Sequence, residues 1–384
     1  MTSRTPLPRR PHAIATPLLA AALCSSACYA QWTVTVLHPA GSSESSAIAA
    51  GGVDAHQQGG AALVGENPHA SLWSGSSSSW IDLHPAGTGF TSSVVSALDG
   101  GQQFGSVGGG LVTHASMWSG TAASWVDLHP AAATSSVIHA AANGLQGGSV
   151  TLPGSIFGRA SLWSGAASSW MDLHPAGATA STINGVGSGK QAGAIGIGLV
   201  LHAAVWSGTA ASMVDLNPAG ASRSSALAAS GAQQAGWAHF GSTDHAGVWS
   251  GDSASWVDLN PIGAASSIAY GAGYGLQAGY AELGGVFRAG VWSGTNTSWV
   301  DLHALLPAGV FASSEARSIA SDGATLYISG FGFNTQTGTN QALLWTRPIP
   351  APGTLALVAL GGFGARRRRA TDGAALIGPP RSRV

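Results

Sequence analysis

Apolar residues along this chain come in short runs, each broken by Gly, Ser, Pro or Asn. One stretch reads SSVVSAL (92–98), QFGSVG (103–108), HASMW (114–118) and WVDL (125–128). Runs this short, bounded by turn formers, predict four β-strands. The polar SG-x-x-x-S between the last two predicts a hairpin loop. The same four runs then return. The first Trp of the phrase falls at Trp73, Trp118, Trp163, Trp206, Trp249 and Trp292, with a divergent copy at Trp345; the spacings are 45, 45, 43, 43, 43 and 53 residues. The second landmark, W-x-D-L, starts at Trp80, Trp125, Trp170, Trp256 and Trp299, and Met213 replaces Trp in the fourth copy. Four strands in about 40–45 residues match one blade of a β-propeller.

The ends of the pattern predict how the ring closes. The chain opens with an orphan fourth strand in QWTVTVLHPAG (31–41) and finishes with three runs that have no fourth: SSEARSIA (313–320), TLYISG (325–330) and QALLWT (341–346). The orphan completes the last blade and leaves no open sheet edge. The expected fold is all-β: a seven-bladed propeller over 31–346, four strands per blade, the last blade closed by the N-terminal strand. An open β-solenoid is the competing architecture, and it would not need matching incomplete ends.

Alternation along Trp125-Val126-Asp127-Leu128 puts Trp125 and Asp127 on one face and Val126 and Leu128 on the other. Both faces of a blade meet neighbouring blades, so both are expected to be covered, with the tryptophans as filler. A sugar-stacking platform is the alternative for them. Asp82, Asp127, Asp172, Asp215, Asp258 and Asp301 invite a reading as catalytic carboxylates. Yet they occupy equivalent places around a ring, so each reads as a local brace to a backbone or Trp N–H. No D-x-D-x-D-G calcium loop is present.

His38, His84, His129 and His174 precede Pro where Asn217 and Asn260 stand in two other copies, which suggests a shared polar turn role. Upstream, His69, His114, His202 and His245 alternate with Arg159 and Arg288. Zinc would want three or four clustered ligands without such exchanges, so no metal and no cofactor is expected. Gln58, Gln103, Gln146, Gln191, Gln234 and Gln277 form Q-x-G, followed by small residues that place this strand near the axis. The Gln side chains read as backbone braces, and a Gln ring for a polar ligand is the alternative. Departures from the repeat include Trp237, His239, Phe240, Arg159, Arg288 and the loop 304–310.

Composition sharpens the picture. Hydrophobic residues make up 45% and charged residues 8%, with 56 Gly and 14 Trp, which argues for a folded Gly-rich β protein over a disordered one. Between Gln31 and Trp345 there are 15 acidic and five basic residues, a net charge of −10. So acidic a body will not track a phosphate backbone, which argues against nucleic-acid binding. Residues 1–30 read as a secretory signal peptide: Arg9 and Arg10, an apolar stretch 14–23, and a small residue at Ala30. Cleavage by signal peptidase before Gln31 would remove both cysteines, Cys24 and Cys28. No G-x-S-x-G, P-loop or H-E-x-x-H is present.

The ordered phrases HA-x-L-W, W-x-D-L and G-x-Q-x-G resemble the HAF-repeat family over most of 31–346. The sequence departs where that family has Phe (Ser71, Ser116, Ser161) and at D-L-G, here D-L-H or D-L-N. The resemblance implies an extracellular, propeller-like bacterial protein and carries over no catalytic residues. The segment PIPAPGTLALVALGGFGARRRR (348–369) resembles a PEP-CTERM sorting signal, with Pro350-Ala351-Pro352 in place of Pro-Glu-Pro. Its 13-residue apolar stretch, 353–365, is short of the roughly 20 residues of a full span. That implies transient membrane anchoring and processing by an exosortase-like enzyme over 347–369. The tail 370–384 departs from the family and reads as disordered. The expected function is a secreted, cell-surface or matrix-associated non-enzymatic scaffold whose partner is an extracellular polysaccharide or a surface protein. A propeller hydrolase or lyase acting on polysaccharide is the alternative.

Overall fold

The computed structural model describes residues 31–51, 56–110 and 112–350. The export signal read in 1–30, the sorting signal beyond its first four positions and the tail 370–384 lie outside the described residues.

The short runs form strands, and the strands form seven four-stranded antiparallel sheets. After β1 (Thr33–Val36), blade 1 comprises β2 (Ser45–Gly51), β3 (Gln57–Val64), β4 (Asn67–Trp73) and β5 (Ile81–Asp82). Blade 2 follows with β6 (Ser92–Asp99), β7 (Gln102–Gly109), β8 (Val112–Trp118) and β9 (Val126–Asp127). Blade 3 has β10 (Ser135–Ala142), β11 (Leu145–Thr151), β12 (Arg159–Trp163) and β13 (Met171–Asp172). Blade 4 has β14 (Ala180–Gly187), β15 (Lys190–Ile197), β16 (Val200–Trp206) and β17 (Val214–Asp215). Blade 5 has β18 (Arg223–Ser230), β19 (Gln233–Phe240), β20 (Thr243–Trp249) and β21 (Val257–Asp258). Blade 6 has β22 (Ser267–Gly273), β23 (Leu276–Leu283), β24 (Val286–Trp292) and β25 (Val300–Asp301). The last blade has β26 (Phe311–Ser321), β27 (Thr325–Asn334) and β28 (Thr339–Pro348), and β1 pairs with β28 as its fourth strand. The protein is a seven-bladed propeller closed by its N-terminal strand.

The first strand of each blade is the innermost. A cavity of about 460 Å³ runs along the axis and is lined solely by β2, β6, β10, β14, β18, β22 and β26. This corrects the placement of the Q-x-G strand near the axis: it is the second strand out. Its small residues serve another purpose. Each inner strand slips register by one residue, as between Ile138 and Ala140 or Ile183 and Gly185. The bulge pushes a carbonyl towards the second strand. A Cβ on Gly148 would collide with the Val137 carbonyl, and one on Gly193 with that of Thr182. Glycine is required there by close approach of two backbones.

The gaps between blades hold the core. Trp73, Trp118, Trp163, Trp206, Trp249, Trp292 and Trp345 are all 0% exposed. Trp118 of blade 2, for example, packs on Ala70, Leu72 and Leu83 of blade 1. Each such ring removes roughly 150–250 Å² from water, an upper bound of roughly 4–6 kcal/mol before entropy is counted. Trp163, Trp206 and Trp345 also donate their indole N–H to Leu128, Leu173 and Leu302 carbonyls of the preceding blade, each at 3.1 Å. The expectation that W-x-D-L is covered on both faces fails at its second residue: Val126 is 41% exposed and Met171 50%. The outer strand is two residues long and forms the rim, so only its flanking Trp and Leu reach a neighbour.

One polar joint is repeated at all seven blade junctions. In the second junction, the Ser136 hydroxyl accepts from the Ala115 N–H of the preceding blade at 2.9 Å and meets His129 Nδ1 at 2.8 Å. The seam between first and last blades uses the same parts: Ser45 Oγ accepts from Ala342 N–H at 3.0 Å and meets His38 Nδ1 at 2.8 Å. Removing either hydroxyl orphans a buried N–H, which costs about 1–3 kcal/mol. Ser45→Ala is therefore expected to destabilise the whole propeller by the same amount as Ser136→Ala in urea unfolding. A silent Ser45→Ala beside a damaging Ser136→Ala would show that the seam is not a working junction.

Candidate functional site

The joint explains the His–Asn exchange. Where Asn217 and Asn260 replace His, Ser224 and Ser267 donate to the Asn Oδ1, each at 2.6 Å, and the Asn amide donates to the carbonyls of Ala221 and Ala264. His129 and His174 make the matching pair of contacts, Nδ1 to serine and Nε2 to the Ala133 and Ala178 carbonyls at 3.1 Å. Asn can only accept at Oδ1, so the matching histidine accepts at Nδ1 and carries its proton on Nε2. The serine's single hydrogen goes to the histidine, leaving its lone pairs for the Ala N–H.

The repeated aspartates are consumed in the same region. Asp82 Oδ2 meets His69 Nδ1 at 2.7 Å, and its Oδ1 accepts from the His84 N–H at 2.8 Å. Asp127, Asp215 and Asp258 repeat this with His114, His202 and His245, and with the N–H of His129, Asn217 and Asn260. Asp172 and Asp301 use Arg159 and Arg288 instead, with the N–H of His174 and Ala304. The upstream His/Arg alternation is thus a choice of ion-pair partner. These carboxylates are bonded but only partly buried, and pairs so exposed contribute about 0–1 kcal/mol. At the seam both partners are missing together: Val36 stands in the aspartate's place and Gln341 in the histidine's.

Most of the remaining repeated groups are also spent within the framework, while the buried indole N–H groups of Trp73, Trp118, Trp249, Trp292 and Trp299 find no partner among the described residues. Trp80, Trp125 and Trp170 donate to Ser71, Ser116 and Ser161 at 2.9–3.0 Å. In blades 5 and 6 that serine is Gly247 or Gly290, and the Trp256 and Trp299 rings fill its space and pack on Trp249 and Trp292. Gln103 Oε1 accepts from Gly120 N–H at 2.7 Å in the W-S-G loop, where φ is +83°, and Gln103 Nε2 donates to the Gly101 carbonyl. Gln58, Gln146, Gln191, Gln234 and Gln277 hold their loops alike. No Gln side chain among the described residues lines the axial cavity. Among the described residues no three His, Cys, Asp or Glu side chains converge as metal ligands.

What varies between copies gathers elsewhere. The extra residue in each inner-strand bulge is Ile48, Ser96, His139, Asn184, Leu227, Tyr270 and Arg317 in blade order, and all seven line the axial cavity. No two are alike, whereas their successors are all Ala, Gly or Ser. A second departure adjoins the last two. The residue after the Q-x-G glycine is Ala or Ser in blades 1–4, then Trp237, Tyr280 and, after the matching Gly330, Phe331 in blades 5–7. The Arg317 guanidinium lies 3.8 Å from the Tyr270 ring centre and 5.1 Å from that of Phe331, and pairs with Glu315 at 2.6 Å. Tyr280 sits 6.0 Å from Tyr270 and 5.0 Å from Phe287. In blade 5, Arg223 lies 5.4 Å over Trp237 and 3.6 Å from Asp244, which holds His239 at 2.6 Å. Burial pushes the Tyr270 phenol up to about 12 and raises that of Tyr280, so both stay protonated donors. Sequence reasoning singled out Trp237 and His239 and missed Tyr270, Arg317 and His139. The axial ring is the candidate functional site.

No protein-family model matches the chain, and no curated protein matches it. Solved structures do resemble it. A puromycin hydrolase mutant (S511A) complexed with PGG aligns at TM-score 0.51 and 12% identity, over 77% of this chain and 53% of that one. A prolyl endopeptidase aligns at 0.50 and 12%, over 80% and 51%. YCF48 bound to a D1 peptide aligns at 0.50 and 12%, over 84% and 96%. This chain spans about half the length of the first two. At such identity the likeness shows the propeller fold alone.

The joints make stability sensitive to acid. The five junction histidines, His38, His84, His129, His174 and His303, have their pKa lowered, chiefly by burial; all but His38 are pushed further by a neighbouring His or Arg. His84 and His129 stack at 4.2 and 3.9 Å on His69 and His114. Protonation at Nδ1 would also reverse the serine bond. A folded value below the ordinary 6.5 means that the unfolded chain binds protons first, so this stability is present above pH 6.5 and lost as pH falls through the depressed values. The melting temperature should fall on acidification below pH 6.5. Replacing the five histidines by Asn, as blades 4 and 5 already do, should flatten that fall. An equally steep loss in the five-Asn variant would refute the assignment.

Proposed function

We propose that this chain is an exported, cell-surface or matrix-associated binding scaffold and not an enzyme. One observation carries the reading: the repeated Asp, Gln and junction His or Asn side chains join blades and brace loops, while the one variable bulge residue of each inner strand lines the axis. An Asp-based hydrolase would need carboxylates free to exchange protons. Here each of the six has one oxygen on His or Arg and the other on a backbone N–H. A rigid ring presenting unlike side chains at one place suits recognition.

Export is supported by the sequence of residues 1–30, read as a substrate of signal peptidase. The segment 347–369 supports transient membrane anchoring and release by an exosortase-like enzyme. Among the described residues no helix is long and apolar enough to cross a membrane. Membership of the HAF-repeat family belongs to the same proposal, with an extracellular polysaccharide or a surface protein as partner. The acidic body disfavours nucleic acid.

Two measurements test the reading. A reporter fused to residues 1–30 should leave the cytoplasm, and its retention there would overturn export. The purified full chain should cosediment with extracellular matrix while releasing no reducing ends from matrix polysaccharide. Steady release of reducing ends would overturn the non-enzymatic assignment.

A further inference from the structure

The axial ring is chemically sided. Blades 2–4 supply hydrogen-bonding groups: Ser96, His139 and Asn184. Blades 6 and 7, across the axis, supply the Tyr270–Arg317 stack, and aliphatic Leu227 and Ile48 separate the two arcs. The Asn184 amide already donates to the Ala226 carbonyl at 3.0 Å, which leaves its Oδ1 to accept, whereas His139 and Tyr270 have no hydrogen-bond partner among the described residues. Burial alone lowers the pKa of His139, and no hydrogen bond contributes, so the ring is neutral with one donor and one acceptor to offer. The Tyr270 phenol, kept protonated by burial, likewise has no partner among the described residues. The charge of Arg317 is met by Glu315 at 2.6 Å, so the site carries little net charge. A cavity of about 460 Å³ lies within the roughly 300–1,000 Å³ of small-molecule sites.

A ligand matching this ring has a flat apolar face for one wall, a hydroxyl-bearing edge for the other, and no charge. We propose that the axial channel binds a neutral sugar residue of an oligosaccharide, its face against the Tyr270–Arg317 wall and its hydroxyls towards Ser96, His139 and Asn184. The assignment rests on reading the chain as a binding scaffold and gives that scaffold its ligand class.

Calorimetric titration of the full chain with cello-, xylo-, manno-, galacto- and laminari-oligosaccharides tests it, with oligogalacturonate and oligoalginate as acidic counterparts. At least one neutral sugar should bind. Tyr270→Ala should weaken that binding about tenfold or more, the scale of one lost ring contact. Ser96→Trp, which fills the channel from the opposite wall, should abolish it, while Val214→Thr on the rim should leave it unchanged. Thermal melts establish that each variant folds, and Ser96→Trp stands in if Tyr270→Ala does not. No binding across the panel, or binding untouched by the channel variants, would overturn the site. Tighter binding of an acidic sugar would overturn the neutral-sugar class and leave the scaffold standing. Cleavage of a sugar bound at the channel would leave the site standing and remove the non-enzymatic reading.

Discussion

One hydroxyl hydrogen organises each blade junction. A serine at the start of the inner strand gives it to the His or Asn just before it, and its lone pairs then hold the Ala N–H of the preceding blade's third strand. The entry to one blade and the third strand of the blade before it are tied at one atom. The tryptophan beside it is the largest fully buried side chain of the gap, yet a tryptophan in a greasy gap fixes no register. The serine joint does, because a slip by one residue would send the serine to the other face of its strand and orphan the N–H. All seven junctions carry it, the seam included, so the ring closes without a special device.

A framework this demanding restricts where chemistry can vary. Trp, Asp, His and Gln are held in place by partners in their own or neighbouring blades, so they recur. The inner strand is different. Its bulge contributes one residue with no partner across the sheet, and the glycine opposite accommodates the displaced carbonyl. Nothing in the junction constrains that residue's type. Seven unlike side chains at one depth of the axis are the consequence.

Much of the fold was legible because turn chemistry is local. Gly, Pro and Ser punctuate every strand, and the incomplete ends, one strand first and three last, sufficed for the closure. The inner strand was not legible, since small residues after Q-x-G fit a crowded axis and a bulge equally well. The aspartate's partner was half legible. His69 lies 13 residues before Asp82, a spacing that means nothing on a line and contact across a hairpin. The sequence did hold one clue: His or Arg stands there wherever Asp does, and at Val36 and Gln341 both are gone. The axial ring stayed hidden because bulges displace register by one, and an alignment of repeats reads Ile48, His139 and Tyr270 as noise.

The distribution of aromatic residues adds direction to the ring. Identical blades would give a channel with sevenfold symmetry, suited only to a ligand on the axis. Blades 5–7 break it with Trp237, Tyr280 and Phe331 at one equivalent position, and with Tyr270 and Arg317 beside them. Blades 1–4 keep Ala or Ser there, so the second strand is aromatic behind Tyr270 and Arg317 and small behind Ser96, His139 and Asn184. Stacking surfaces and donors then face each other across the axis, and a ligand with one apolar face has a single favourable orientation. Symmetry in the joints and asymmetry at the axis are therefore two sides of one constraint: the junctions fix every blade in the same way, which leaves the differences between blades to be expressed at the centre.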